Sequence, residues 1–451
     1  MPRVSEHDHI GHRTLRRGGG PFYHGTQGSA GFAPLCDPGG ANRSEPTAAY
    51  DPRVLAALAR AVDERVDDLH DLTARLVRER SLLGDEEGAQ RIVEERLLRL
   101  GLEVERIQPD ADEAVADPHA GLPLLPYAGR TCVAGRLRGP GGGRSLHLTG
   151  HVDVVPVESE ERWTHDPWAG ETAEGRMWGR GAGDMKAGVA AYLVAVEALQ
   201  ATGAELRGDV LFTSVIEEEC GGNGMRSVLQ AGYTADGTLI GEPTDLRVHV
   251  NGVGVIWARL TARSEGAHAA YASEHPSPVD QITAAVQGLR ALEGALNDGL
   301  EGHPYNLNLG EIHGGAWPSS VPAQVVLRCR LGFGPELEPS DAQALLTRAV
   351  ASAAPSVAVE FEGFRAKAYE HSTDEPLVST LRECHATVQG RPDPPGTKLS
   401  TATTDARYVD GACSCYGPIA GNLHGNDEWV DLASVRDTAL TVALLASRWC
   451  A

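Results

Sequence analysis

Long apolar runs are missing from this chain. No stretch of about 20 consecutive apolar residues occurs, so no spanning helix is expected. The N-terminus carries arginine and glycine but no apolar segment, which gives no sign of a secretory signal. Positive charge is scarce. The 40 Lys and Arg stand against 62 Asp and Glu, a formal net charge of −22. That balance disfavours nucleic acid and anionic membranes as partners. It does not exclude an anionic small substrate, because local arginines can outweigh the net field. Cysteine is too sparse for a disulfide-built fold. Cys36, Cys132, Cys220, Cys329, Cys384, Cys413, Cys415 and Cys450 are scattered over 451 residues, the pattern of reduced thiols in a cytoplasmic protein. No internal repeat is visible.

What is present is enough for two hydrophobic cores: 41% of the residues are hydrophobic, and the length exceeds one ordinary domain. Residues 1–55 are rich in Gly, Pro and polar residues and read as a flexible extension. A helical pattern then runs from about Pro52 to Arg80, and a second amphipathic helix ends at Gly101. Strands are expected over Leu102 to Ile107, Thr131 to Arg138 and Ser145 to Gly150, and again at Val210 to Ile216. The nearly all-apolar stretch Val189 to Ala201 reads as a buried helix. This mixture predicts an α/β sheet protein. From Val253 the character shifts. Val255 to Arg263, Asn306 to Ile312, Ala323 to Phe333 and Val357 to Phe364 read as strands. Pro278 to Leu296 and Ser340 to Ala351 read as helices. The β-α-β-β-α-β order is that of a small α+β sandwich inserted into a larger domain. After about Lys367 the chain is expected to return to the first domain, through a helix at Leu377 to Val388, and to end on a helix from about Leu432 to Trp449.

One stretch organises the chemistry: Leu146-His-Leu-Thr-Gly-His-Val-Asp-Val-Val-Pro156. His151 and Asp153 leave the same face of an extended chain. A metal-binding histidine needs its second nitrogen held by an acceptor, often a carboxylate. A solvated loop histidine with a helix-capping aspartate fits the same spacing. Asp184 follows three glycines and precedes an apolar helix, a place for a metal-binding carboxylate or for an N-cap. Glu217-Glu-Glu219 follows an apolar strand, costly unless solvated or neutralised by a cation. Glu242 ends another strand. His424 stands in a Gly- and Asn-rich turn. Cys413 and Cys415 could suggest metal, but no second thiol pair stands near, and they read as small buried strand residues. Open α/β sheets gather loop groups at the carboxyl edge of their strands. Two histidines and three carboxylates suit divalent cations such as zinc.

On these pieces the chain resembles the co-catalytic di-zinc metallopeptidase and deacylase superfamily, which includes acetylornithine deacetylase, succinyl-diaminopimelate desuccinylase, aminoacylase and glutamate carboxypeptidase. The matching pieces are Gly150 to Pro156, Trp163 to Trp168, Gly179 to Lys186, Glu217 to Gly222, Gly241 to Pro243, Gly266 to His268, Gly314-Gly315 with Val321-Pro322, and Leu423-His424 with Glu428. They cover residues 60 to 449 in family order. The resemblance implies a zinc-peptidase catalytic domain over 56–252 and 367–451, with a ferredoxin-like lid or dimerisation domain inserted at 253–366. It implies that His151 and Glu242 hold one Zn2+, that Glu219 and His424 hold the other, and that Asp184 bridges them. Co2+ or Mn2+ are substitutes. Asp153 is then the orienter of His151, Glu218 the general base, and His268 the oxyanion donor reaching a neighbouring subunit in a homodimer. The bond Asp184–Met185 is implied to be cis.

One position departs from the family pattern. An arginine that binds the substrate carboxylate in many members is Gly332 here, with Arg328 and Arg330 close by. Arg407 could supply that charge instead, with Thr403 beside it, although a surface salt bridge fits Arg407 as well. Together these features predict a cytoplasmic amidohydrolase that removes a small N-acyl group, such as acetyl, formyl or succinyl, from an amine or amino acid. A dipeptidase or carboxypeptidase of the same superfamily and a non-catalytic binding protein on the same fold are the competing readings.

Overall fold

In a computed structural model of the protein, the strand Leu146–His151 lies inside a six-stranded sheet, and residues 51–392 and 400–451 are described. The expectation for the first 50 residues falls outside that range. The sheet order is Glu103–Ile107, Cys132–Leu137, Val210–Val215, Leu146–His151, Gly237–Ile240 and Cys413–Cys415. The last four strands run parallel and the first two antiparallel. Parallel strands buried on both faces need apolar residues throughout. Leu146–His151 and Val210–Val215 are buried at every position.

Helices cover both faces. Ala187–Thr202 packs with Leu432–Trp449 on one side, joined by Pro52–Asp63. On the other side, Met225 and Val228 of the helix Asn223–Gln230 meet Cys132, Leu211 and Val215. The central helix is buried from Ala187 to Leu199 and apolar there but for Glu197, which pairs with Arg96. Its close approach depends on Gly188, where a Cβ would stand 1.9 Å from the Gly241 carbonyl oxygen. That contact seats the helix against the strand end carrying Glu242.

The expected single helix over 52–80 is two helices, Pro52–Asp63 and Val66–Arg78. Arg65 has φ −115° and ψ 4°, outside the helical region. Asp67 and Asp68 then complement the new N-terminal dipole. Residues 52–55, counted above in the extension, belong to the first helix. A short helix at Ala111–Ala116, the helix Asn223–Gln230 and a hairpin at Glu171–Ala173 and Arg176–Trp178 are further elements that periodicity did not reveal.

The second sheet is fully antiparallel, in the order Leu307–Gly314, Gln324–Phe333, Gly254–Arg263, Ala358–Ala366. The helices Pro278–Leu296 and Pro339–Ala353 cover one face. Alternation decides which side chains meet them. Ile256, Ala258 and Leu260 join Val325, Leu327, Cys329 and Leu331 in that core. The intervening residues, including Trp257, Arg328 and Arg330, project from the uncovered face. This is a ferredoxin-like α+β layer beside an α/β layer, as the sequence predicts. Among the described residues, no helix is long and apolar enough to cross a membrane.

Candidate metal centre and cavity

Three parallel strands end at one edge of the large sheet, and their exits deliver the polar groups. His151 is the last residue of its strand. Glu218 and Glu219 follow Val215, and Glu242 follows Ile240. Asp184 arrives from the turn before the central helix, and His424 from the turn after Ala420–Gly421.

His151 is buried, with Nε2 3.2 Å from Asp184 Oδ1. His424 Nε2 lies 3.5 Å from Asp184 Oδ2 and 3.1 Å from Glu219 Oε1. Asp184 thus stands between the two imidazoles, one carboxylate oxygen toward each. Candidate ligand atoms of His151, Asp184 and Glu219 all lie within 4.8 Å of one another. The Asp184 side chain faces these rings rather than capping the helix, and the helix starting at Ala187 has no side-chain cap. The Asp184–Met185 peptide is cis.

Carboxylates crowd this edge. Burial, followed by the charges of Asp405 and Glu242, pushes Glu218 well above the ordinary carboxylate range. Burial and the neighbouring Asp184 do the same to Glu242. The Glu219 carboxylate raises His424 to about 11, against burial. Such crowding around two imidazoles is the donor set that a pair of borderline divalent cations neutralises. The residues present therefore fit a dinuclear centre.

Two buried carboxylates fix the backbones that carry these groups. Asp153 accepts the amides of Glu218 at 3.2 Å and Glu219 at 3.1 Å. Glu428 accepts those of Gly183 at 3.0 Å and Asp184 at 3.1 Å through one oxygen. Its other oxygen takes Arg180 Nη1 at 2.5 Å. The sequence marks Glu428 only by its place four residues after His424, and nothing local signals the clamp.

A cavity of about 310 Å³ opens against the cluster. Glu218, Glu219, His424 and Thr403 line one side, and Trp257, Arg328, Arg330 and Phe364 from the uncovered sheet face line the other. Glu218 Oε1 and Thr403 Oγ1 are buried and, among the described residues, have no hydrogen-bond partner. Arg328 is neutralised by Glu362 at 2.7 Å and Glu311 at 3.2 Å. Arg330 is bonded to neutral groups, the Asn306 side chain and the Thr401 carbonyl.

Arg407 is not on the surface, which corrects the surface salt-bridge expectation for it, and it does not line this cavity. Its guanidinium is buried behind Glu218, bonded to the Thr404 carbonyl at 2.8 Å and the Gly221 carbonyl at 3.0 Å. Nη1 lies 3.8 Å from Glu218 Oε1. It lines instead a second cavity, beside Arg226 and Lys367. His268 is exposed on the two-residue ribbon that pairs with Ser320–Val321. Its Nδ1 accepts the Ala270 amide at 3.1 Å, and the residue does not line the main cavity. Cys413 and Cys415 are buried strand residues.

Known proteins share this arrangement of chain. Succinyl-diaminopimelate desuccinylase of Xanthomonas oryzae pv. oryzae is 26% identical over 387 residues, covering 82% of this chain and 96% of that protein. The enzyme of the same name from Rhodospirillum centenum is 30% identical over 323 residues, covering 68% and 82%. N-formyl-4-amino-5-aminomethyl-2-methylpyrimidine deformylase of Halalkalibacterium halodurans is 27% identical over 348 residues, covering 68% and 79%. Human carnosine dipeptidase 1 superposes with a TM-score of 0.70 at 16% identity, over 87% of this chain and 99% of its own. A dinuclear metal-binding M20 peptidase from Bacillus subtilis superposes with a TM-score of 0.56 at 15% identity, over 86% and 99%. The sequence profile of peptidase family M20/M25/M40 matches residues 147–448, and the chain belongs to that family.

Proposed function

We propose that this protein is a di-metal amidohydrolase that removes a small N-acyl group from an amine or amino acid. The observation that carries the reading is Glu218. Glu218 lines a cavity directly beside the His151–Asp184–His424 cluster, and among the described residues its Oε1 accepts no hydrogen bond. The relatives named as a desuccinylase and a deformylase both act on small acyl amides, which supports acyl removal over peptide cleavage.

In this reading His151 and Glu242 would hold one cation and Glu219 and His424 the other, with Asp184 as the ligand shared between them. Zn2+ is the proposed ion, with Co2+ or Mn2+ as substitutes. Bound there, two cations supply Lewis acidity that makes water acidic near neutral pH and polarises an acyl carbonyl. Glu218 takes one proton from the attacking water as its oxygen joins the acyl carbon. As the carbon–nitrogen bond breaks, Glu218 returns that proton to the leaving amine. Asp153 keeps Glu218 and Glu219 in register, and Thr403 offers its free hydroxyl to the substrate. His268 of a second copy would donate to the carbonyl oxygen as charge develops on it. Residues 253–366 are proposed as the lid and pairing domain of a cytoplasmic homodimer.

Purified protein with Zn2+ or Co2+ should release acetate, formate or succinate from a panel of N-acyl amines and N-acyl amino acids, and leave dipeptides intact. Cleavage of dipeptides alone would replace this reading with the peptidase one. A protein inert toward both classes would remove it.

A further inference from the structure

Glu217 is the first of three consecutive acids and the one that turns away from the cavity. Its backbone has φ +67°, in the left-handed region that residues with a side chain rarely adopt. Its carboxylate is fully buried. Oε1 accepts the Tyr127 hydroxyl at 2.7 Å and Asn223 Nδ2 at 3.3 Å, and Oε2 faces Arg130 Nη1 at 3.4 Å. Arg130 is itself held by Glu86, through Nε at 3.1 Å and Nη2 at 2.5 Å. The Glu217 carbonyl accepts the amides of Gly221 at 3.0 Å and Gly222 at 2.6 Å, closing a tight turn around the two following acids.

Three donors converging on one buried carboxylate over-determine a backbone conformation that the residue would otherwise leave. Relaxation of φ to a negative value would rotate the next peptide plane. That plane carries the Glu218 amide, which Asp153 holds at 3.2 Å. We propose that Glu217 is a positioning residue: its anchored side chain holds the left-handed turn that aims Glu218 and Glu219 into the cavity. The catalytic half of this inference rests on the function proposed above. The half that concerns Glu219 as a donor to a cation does not.

Three variants test it. Glu217→Gly keeps the left-handed freedom and removes the anchor. Glu217→Gln keeps the shape and most of the bonds. Tyr127→Phe removes one donor without changing the packing volume. Each is read by circular dichroism, by Zn2+ affinity of the stripped protein in competition with a chromogenic chelator, and by kcat and KM separately. Glu217→Gly should bind Zn2+ about tenfold or more weakly. Its kcat should fall with KM unchanged, and Glu217→Gln should recover most of both. A folded Glu217→Gly with wild-type affinity and kcat would overturn the proposal. If Glu217→Gly does not fold, Tyr127→Phe decides: a smaller loss in the same two readouts supports the proposal, and no change overturns it. If the wild type hydrolyses no amide, the Zn2+ affinities alone decide, and only the functional reading falls. A wild type that binds no Zn2+ overturns both.

Discussion

His151 donates its Nδ1–H to the backbone carbonyl of Asp153 at 2.9 Å, while the Asp153 carboxylate stands 3.7 Å from the same nitrogen. The main chain fixes the ring, and the side chain is left free to hold the amides of Glu218 and Glu219. Asp153→Asn should therefore keep its metal, because the carbonyl bond survives. One of the two amides loses its acceptor, and kcat should fall by roughly 10–100-fold. Metal analysis beside steady-state kinetics checks this. Loss of metal in the variant would make the carboxylate the orienter of His151 after all.

Glu218→Gln removes the proton acceptor and keeps the side-chain volume. Bound metal should be unchanged, and kcat should drop by on the order of 10²–10⁴. Full turnover in that variant would exclude Glu218 as the base.

Arg407→Met tests whether the buried guanidinium serves structure or substrate. Without it, the Glu218 and Asp405 carboxylates and two carbonyls lose a shared partner. The cost expected for breaking a buried arrangement of this kind is about 3–5 kcal/mol. The melting temperature should fall steeply while KM of the folded fraction stays near wild type. A large rise in KM with an unchanged melting temperature would return Arg407 to the substrate.

His147 predicts a pH dependence remote from the metal centre. It is fully buried, with Nε2 2.7 Å from the Thr213 hydroxyl oxygen, and burial lowers it from 6.5 to about 3. Between those values the unfolded chain binds a proton that the folded chain refuses. This contribution to stability is present above pH 6.5 and is lost as pH falls toward 3. The slope is at most about 1.4 kcal/mol per pH unit. His147→Gln should flatten the melting temperature against pH between 6.5 and 4. An identical profile in both proteins would rule His147 out as the cause.

Elements with strong periodicity were legible from the residues alone. The helices at Pro278–Leu296 and Leu432–Trp449 start and stop where their apolar spacing does. The break at Arg65 was not legible, because the spacing of apolar residues runs straight through it. The helix Asn223–Gln230 was also missed, since it offers few apolar positions in eight residues. In the site, each candidate ligand announces itself as a polar group ending an apolar strand or opening an apolar helix. Direction is another matter. Nothing local tells that Glu217 turns back while its two neighbours turn inward, or that Arg407 is walled in. The partners of Glu428 lie 245 and 244 residues away, and only the closed sheet brings them together.

The neck of the small sandwich has its own consequence. The outgoing chain at Asn251–Gly252 pairs with the returning chain at Tyr369–Glu370, and the same two passes continue as Gly254–Arg263 beside Ala358–Ala366. This ribbon is not the whole attachment: Leu122 bridges Gly363, Arg365 donates to the carbonyls of Ala114, Ala120 and Asp117, and Arg330 donates to that of Thr401. These ties keep Trp257 and Arg330 on the wall of the cavity that Glu218 also lines.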